Sequence, residues 1–240
     1  MEIELAVLGI LATVMICEAV AELVSFFVVK MKNRMKYPLA DFEPIGSDQA
    51  MIDQLADSIN GHLGANAGAK LMEMDLESRK EALSWLAQEN ARIMGIADMP
   101  EIEFLESGEL GENGARTQGR FVFAVNKLQI NLDYLKIQNE KVLLDALDTV
   151  VHEMCHAYQY MKMEEMLERL EEVQAEEERE AMASDPEDMR TIFWLKNEMP
   201  GNYILFHVDP EGYRRQPVES YAFGMANAVM RKLWEGTDEQ

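Results

Sequence analysis

Residues 148–159 read DTVVHEMCHAYQ, and an H-E-x-x-H pattern runs from His152 to His156 at their centre. This stretch and residues 142–147 contain no Gly or Pro, and their apolar residues recur at three- and four-residue spacing, which predicts an amphipathic helix. The apolar stripe consists of Leu144, Leu147, Val151, Cys155 and Tyr158. Residues four apart share one helix face, so the two histidines can offer imidazole nitrogens to one cation.

The residue types in this pattern predict zinc chemistry. Zn²⁺ binds imidazole nitrogens, and a catalytic zinc site has three protein ligands and one open position for water. Glu153 stands between the histidines, where it can accept a proton from a water at that position. On a helix, the pattern is typical of metal-assisted hydrolysis, usually of a peptide bond. The alternative is a helix that exposes two polar histidines to solvent.

The third zinc ligand must come from elsewhere in the chain. The residues after His156 are Ala-Tyr-Gln-Tyr-Met-Lys, which excludes the metzincin continuation with its Gly and third His. Among the downstream Glu, Asp and His residues, Glu219 is the best candidate. It lies at the start of a predicted helix, with Pro217 in the first turn and Gly236 as a stop. The alternative is that Glu219 only complements the helix dipole.

Three segments together resemble the gluzincin type of zinc metallopeptidase, and more closely its compact bacterial members. They are residues 128–135, similar to the edge strand before the zincin helix, residues 148–159, and residues 213–222. The likeness spans residues 100–235 and implies a zincin-like α+β fold. It also implies His152, His156 and Glu219 as metal ligands, Glu153 as general base and Zn²⁺ as cofactor. The thermolysin-like Asn-Glu-x-x-x-Asp pattern is absent, because Val218 precedes Glu219 and Phe223 stands at the Asp position.

The residues before the motif change to strand patterns. Residues 101–105 alternate in part, and residues 120–125 and 127–132 are typical of a hairpin that turns near Asn126. They predict a small antiparallel or mixed sheet packed on the motif helix. An edge strand of such a sheet can bind an extended peptide by adding a strand.

Further helices are predicted over residues 47–62, residues 75–94 and residues 186–196. Residues 163–183 predict a helix with a solvated acidic face rather than a functional cluster of acids. His62 lies in a loose Gly-rich stretch and is expected at the surface.

Residues 5–29 are almost all apolar and long enough to cross a membrane, although two glutamates interrupt them. Four basic residues follow between positions 30 and 36, so a spanning helix would leave the rest of the chain in the cytoplasm. A buried or self-associating helix is the alternative. The predicted organisation is a hydrophobic helix with its basic flank (1–36), a linker with two prolines (37–46) and the metallopeptidase domain (47–240).

Composition narrows the range of partners. The chain has 240 residues, 48% of them hydrophobic, which is ample for a core, and a formal net charge of -22. Such a charge repels polyanions, so we expect no nucleic-acid partner. Cys17 and Cys155 are the two cysteines, too few for a disulfide framework. Cys155 is rotated away from the histidine face and is expected in the core.

A hydrolase also needs a donor for the oxyanion that forms in the transition state. Tyr213 is the first candidate, His207 the second, and Tyr221 is also close to Glu219 in sequence. Each has a structural alternative, as a half-buried tyrosine or a surface histidine. Asp148, one turn before His152, could orient the imidazole ring.

The sequence therefore predicts a zinc metallopeptidase that acts on a peptide or protein substrate. A non-catalytic metal-binding or acidic interaction protein, acting at a membrane, is the alternative from another class. A zinc hydrolase acting on a non-peptide amide is a third hypothesis, which only substrate profiling would separate from the first. The oligomeric state stays open.

Overall fold

A computed structural model of the chain describes residues 41–110, 117–173, 180–182 and 184–235. The fold is α+β, mostly helical, with a small mixed sheet of three strands. The helices are α1 (Asp48–Leu63), α2 (Ala67–Glu73), α3 (Leu76–Met94), α4 (Leu132–Leu135), α5 (Glu140–Glu172), α6 (Pro186–Glu198), α7 (Pro210–Arg215) and α8 (Pro217–Glu235). The strands are β1 (Glu101–Leu105), β2 (Gly119–Val122) and β3 (Lys127–Asn131).

Two of the helices begin at residues whose side chains cap them, as their sequences predict. The Asp75 side chain caps α3 by accepting the Ser78 N–H at 2.8 Å, and α3 ends at Gly95, whose φ of 72° is left-handed. Asp185 caps α6 in the same way, with Pro186 in the first turn. The predicted helices at 47–62, 75–94 and 186–196 are thus confirmed within two residues.

The chain divides into two compact units, of which the larger comprises Phe42–Tyr158 and Tyr221–Gln240. It contains the sheet, in which β3 pairs in parallel with β1 and antiparallel with β2. Its core includes a fully buried stripe of α5 and the buried face of α8. These residues are Leu143, Leu147, Val150, Val151, Met154, Cys155, Ala222, Met225 and Val229. Cys155 is a core residue, as predicted.

The order of the strands corrects one prediction. The segment 128–135 was expected to begin with an edge strand, but β3 is the central strand of the described sheet and continues directly into α4. Leu128 and Ile130 are buried at 0% and 2% exposure, as a central strand requires. An extended peptide that adds to this sheet would therefore have to pair with β1 or β2.

The predicted hairpin is confirmed with one difference. β2 and β3 are antiparallel, with Phe121 opposite Leu128, and the chain turns at Asn126, whose φ is 47°. Residues 123–125 were expected to extend the first strand, but they form a turn of 3-10 helix. Asn tolerates this left-handed conformation better than most residues, which explains its place in the turn.

Of the described residues, the smaller unit comprises Asp41 and those within Gln159–Ser220. It contains the second half of α5, then α6, α7 and the first turn of α8. Arg169 on α5 binds Asp188 on α6 through two nitrogens, at 2.7 and 2.8 Å. The segment 163–172 continues α5 with Met163 and Met166 buried and its glutamates exposed, so the predicted solvated acidic face is confirmed over these residues.

None of the helices in the described ranges is long and apolar enough to cross a membrane. The hydrophobic helix predicted at 5–29, its basic flank up to residue 36 and the first residues of the linker 37–46 lie outside the described residues. The membrane anchor and the cytoplasmic location therefore stay predictions.

Candidate metal centre

The histidines of the H-E-x-x-H pattern face each other on α5. The Nε2 atoms of His152 and His156 lie 3.2 Å apart, and their rings are nearly perpendicular at 82°. Two imidazole nitrogens bound to one tetrahedral zinc at about 2.0–2.1 Å would be about 3.3 Å apart. The spacing of the two nitrogens therefore fits a shared zinc ion.

The third predicted ligand lies beside them. His152, His156 and Glu219 each offer one ligand atom, and these atoms all lie within 4.8 Å of one another. Glu219 is in the first turn of α8 and only 2% exposed, and His152 is 8% exposed. A buried carboxylate is costly unless it is hydrogen-bonded or binds a cation, so its burial beside two imidazoles fits a metal ligand. The donor set also suits zinc, which takes His nitrogen and Glu oxygen together.

Tyr203 holds the Glu219 carboxylate. Its hydroxyl donates to Glu219 Oε1 at 2.6 Å. Although 36% of Tyr203 is exposed, desolvation and then the negative charge of Glu219 raise its pKa above the usual range, so the phenol stays protonated and remains a donor. No sequence pattern indicates Tyr203, because it lies 16 residues before Glu219 in an irregular segment with no periodicity.

Two fully buried amide side chains fix the chain around Glu219. Asn197 accepts the Val218 N–H at 3.1 Å and donates to Gln216 Oε1 at 3.1 Å. Gln216 in turn accepts the Ile204 N–H at 2.8 Å and donates to the Ile204 carbonyl at 3.1 Å. Because Ile204 follows Tyr203 and Val218 precedes Glu219, the same network fixes both Glu219 and its hydrogen-bond donor.

A third buried amide connects α5 to the same turn. Gln159, one turn beyond His156 and 1% exposed, donates from Nε2 to the Val218 carbonyl at 2.9 Å. The H-E-x-x-H helix is thereby hydrogen-bonded to the residue next to Glu219.

Glu153 contacts the sheet. It is half-buried, and its Oε2 accepts the backbone N–H of Phe121 on β2 at 2.8 Å. β2 packs very closely against α5 at this point. A Cβ added to Gly119 on β2 would lie only 2.7 Å from Thr149 Cγ2 on α5, so a larger residue would not fit there. The hydrogen bond fixes one carboxylate oxygen of Glu153 and leaves the other for a proton-transfer partner.

His152 packs against an aromatic ring. Its ring centroid lies 4.4 Å from that of Phe223, at an interplanar angle of 59°. Phe223 stands where a thermolysin-like sequence has Asp, so an apolar contact takes the place of a carboxylate there. Asp148 is half-buried one turn earlier, and burial raises its pKa while the nearby His152 partly lowers it. Its orienting role stays a prediction.

The structure separates the three candidates for the oxyanion donor. Tyr213 is half-buried beside Tyr203, with ring centroids 6.1 Å apart. His207 is exposed, whereas Tyr221 is buried and its hydroxyl donates to Asp48 at 3.2 Å. Tyr221 therefore has a structural partner, and a catalytic role for Tyr213 or His207 stays a prediction.

His62 is exposed and stacks on Trp85, with ring centroids 3.8 Å apart, which confirms its surface position.

Comparisons of the whole chain with protein-family models, with curated proteins and with solved structures find no match. The function of the chain is therefore inferred from the sequence and from the geometry of the site.

Proposed function

We propose that this chain is a zinc-dependent hydrolase that cleaves peptide bonds, with a gluzincin-like ligand set on a zincin-like fold. The observation that carries the proposal is the cluster of His152, His156 and Glu219, whose ligand atoms lie within 4.8 Å of one another. Three protein ligands leave a fourth position of a tetrahedral zinc for water, which is the arrangement of a catalytic rather than a structural site.

Zinc held by these residues would supply Lewis-acid activation of a water molecule and of the scissile carbonyl. The protein's own contribution is proton transfer. Glu153 takes the proton of the attacking water and passes it to the leaving amine. The backbone N–H of Phe121 on β2 donates to the Glu153 carboxylate and so holds it in place. The aromatic ring of Phe223 shields one side of His152 from water, which strengthens electrostatic interactions at the site.

The test compares the wild type with Glu153→Gln in zinc content and in cleavage of a mixed peptide library. Gln can still accept the Phe121 N–H, so the fold and the zinc are retained while the base is lost. We expect full zinc occupancy in both proteins and roughly 10²–10⁴-fold slower cleavage in the variant. Glu168→Gln, at an exposed position on the same helix, is the control and should cleave at the wild-type rate.

The proposal is wrong if both proteins cleave equally and a chelator has no effect. A non-catalytic metal-binding protein is the second candidate, and one observation favours it. The bond between Glu153 and Phe121 gives this glutamate a structural role without any chemistry. In that case the wild type would bind zinc but show no zinc-dependent cleavage, and Glu153→Ala would lower stability more than Glu153→Gln.

A further inference from the structure

The segment between α6 and α7 contributes one side chain to the candidate metal centre. The distance from the Tyr203 hydroxyl to Glu219 Oε1 is 2.6 Å. Hydrogen bonds from a hydroxyl to an ionised carboxylate are typically about 2.5–2.7 Å long and about twice as strong as bonds between neutral groups. The length is thus that of a charge-assisted bond to the proposed third ligand.

This bond determines how Glu219 can meet a cation. A carboxylate can ligate with one oxygen or with both, and Tyr203 already occupies one oxygen with a strong donor. We infer that Tyr203 is a positioning residue, which holds Glu219 as a one-oxygen ligand and so keeps the fourth zinc position open for water. The inference rests on the proposed zinc site and goes beyond it. It states that Tyr203, which is not itself a proposed ligand, determines whether Glu219 binds the metal through one oxygen or two.

Tyr203 is itself held before any cation binds. Gln216, fully buried, bonds both the N–H and the carbonyl of Ile204, the residue after Tyr203. Gln216 also stands directly before α8, the helix that begins at Pro217 and carries Glu219. The tyrosine and the carboxylate are therefore fixed by a single side chain, and their bond should exist in the metal-free protein.

The test compares Tyr203→Phe with the wild type in the full chain. Zinc affinity is measured by competition with a chelating dye, and the coordination sphere by the visible spectrum of the Co²⁺-loaded protein. We expect roughly 10–100-fold weaker zinc binding, as for other residues that support a ligand. We also expect shifted cobalt bands, because the carboxylate becomes free to use both oxygens. A merely structural tyrosine would leave the cobalt bands unchanged.

Ser58→Ala is the control. Ser58 also donates its hydroxyl to a glutamate, but that residue is Glu89 on α3, at 2.7 Å, which is no member of the cluster. Its zinc affinity should stay within about 2-fold of the wild type, since no group that supports a ligand changes. In a Glu219→Ala background, Tyr203→Phe should likewise change zinc affinity by less than about 2-fold, because the residue acts only through Glu219.

The outcomes separate this inference from the proposed function. If the wild type binds neither zinc nor cobalt, both are overturned. If the wild type binds them and Tyr203→Phe has the same affinity and cobalt spectrum, only the role of Tyr203 is overturned. If Tyr203→Phe does not fold, 3-fluorotyrosine at position 203, a stronger donor of nearly the same size, replaces it. An unchanged affinity and spectrum in that protein also overturn the inference.

Discussion

Two segments supply the candidate metal centre, and they differ in how their residues are brought together. The segment 148–159 lies within one helix, so the helical repeat alone places His152 and His156 on one face. The segment 197–219 spans the end of α6, an irregular stretch, α7 and the start of α8. There, side-chain hydrogen bonds between Asn197, Gln216 and Tyr203's neighbour Ile204 determine where Glu219 lies.

The difference shows that one half of the site is encoded locally and the other half by a buried polar network. A helix face tolerates many substitutions, because its geometry comes from the backbone. A buried network is sensitive to each member, because a lost partner leaves a polar group unsatisfied. Substitution of the half-buried His156 in the first segment should therefore change metal binding with little loss of stability, and substitutions in the buried network of the second segment should change both.

The largest effect is expected for His156→Ala. Removing one of the three proposed ligands should lower zinc affinity by more than about 100-fold, the upper end of the loss seen when only a supporting residue is changed. The metal-free protein should keep its free energy of unfolding within roughly 1 kcal/mol, because His156 is only half-buried. Dye competition measures the affinity, and urea unfolding in chelator measures the stability.

His62→Ala is the control for this substitution. His62 is an exposed histidine that stacks on Trp85 and is no member of the cluster, so zinc affinity should not change. Equal loss of zinc in both variants would mean that the histidines bind the metal nonspecifically, and the local half of the comparison would fail.

The same contrast explains what the sequence could predict. α3 was placed to within one residue, because Asp75 and Gly95 are local signals at its ends. The three residues that the structure brings together could be named from the sequence, because the histidines follow the helical period and Glu219 follows a proline at a helix start. The central position of β3 and the bond from Tyr203 to Glu219 depend on partners far away in sequence. No local pattern indicates such contacts, so only the structure reveals them.

Asn197→Leu should have the second-largest effect. It removes the acceptor of the Val218 N–H and the donor to Gln216, at a position with 0% exposure. Two lost bonds and one unsatisfied buried N–H should cost roughly 2–3 kcal/mol in the free energy of unfolding. Zinc affinity should fall roughly 10-fold, because the turn before Glu219 loses its support.

Asn90→Leu provides the opposite case. Asn90 on α3 is also 0% exposed, but its Oδ1 has no hydrogen-bond partner among the residues that the structure describes, and its Nδ2 donates only within the helix, to the Leu86 carbonyl at 2.7 Å. Replacing this half-satisfied buried amide by an apolar side chain should cost less than about 1 kcal/mol, with zinc affinity unchanged. If the two Asn→Leu variants lose the same stability, the network has no special importance and the comparison between the two halves is wrong.

The smallest effect is expected for Gln159→Leu. Gln159 is the last residue of the segment 148–159, and its side chain bonds the backbone of the segment 197–219. Gln159 is 1% exposed and donates to the Val218 carbonyl at 2.9 Å. Leu keeps most of the buried volume, so the cost should be only about 1 kcal/mol in urea unfolding, with zinc affinity nearly unchanged. Gln159→Glu should cost more, because it directs a carboxylate oxygen at the same carbonyl in a buried place. If Leu lowers zinc affinity as much as Asn197→Leu does, the turn before Glu219 is positioned from α5 as well, and the two halves of the site are not encoded separately.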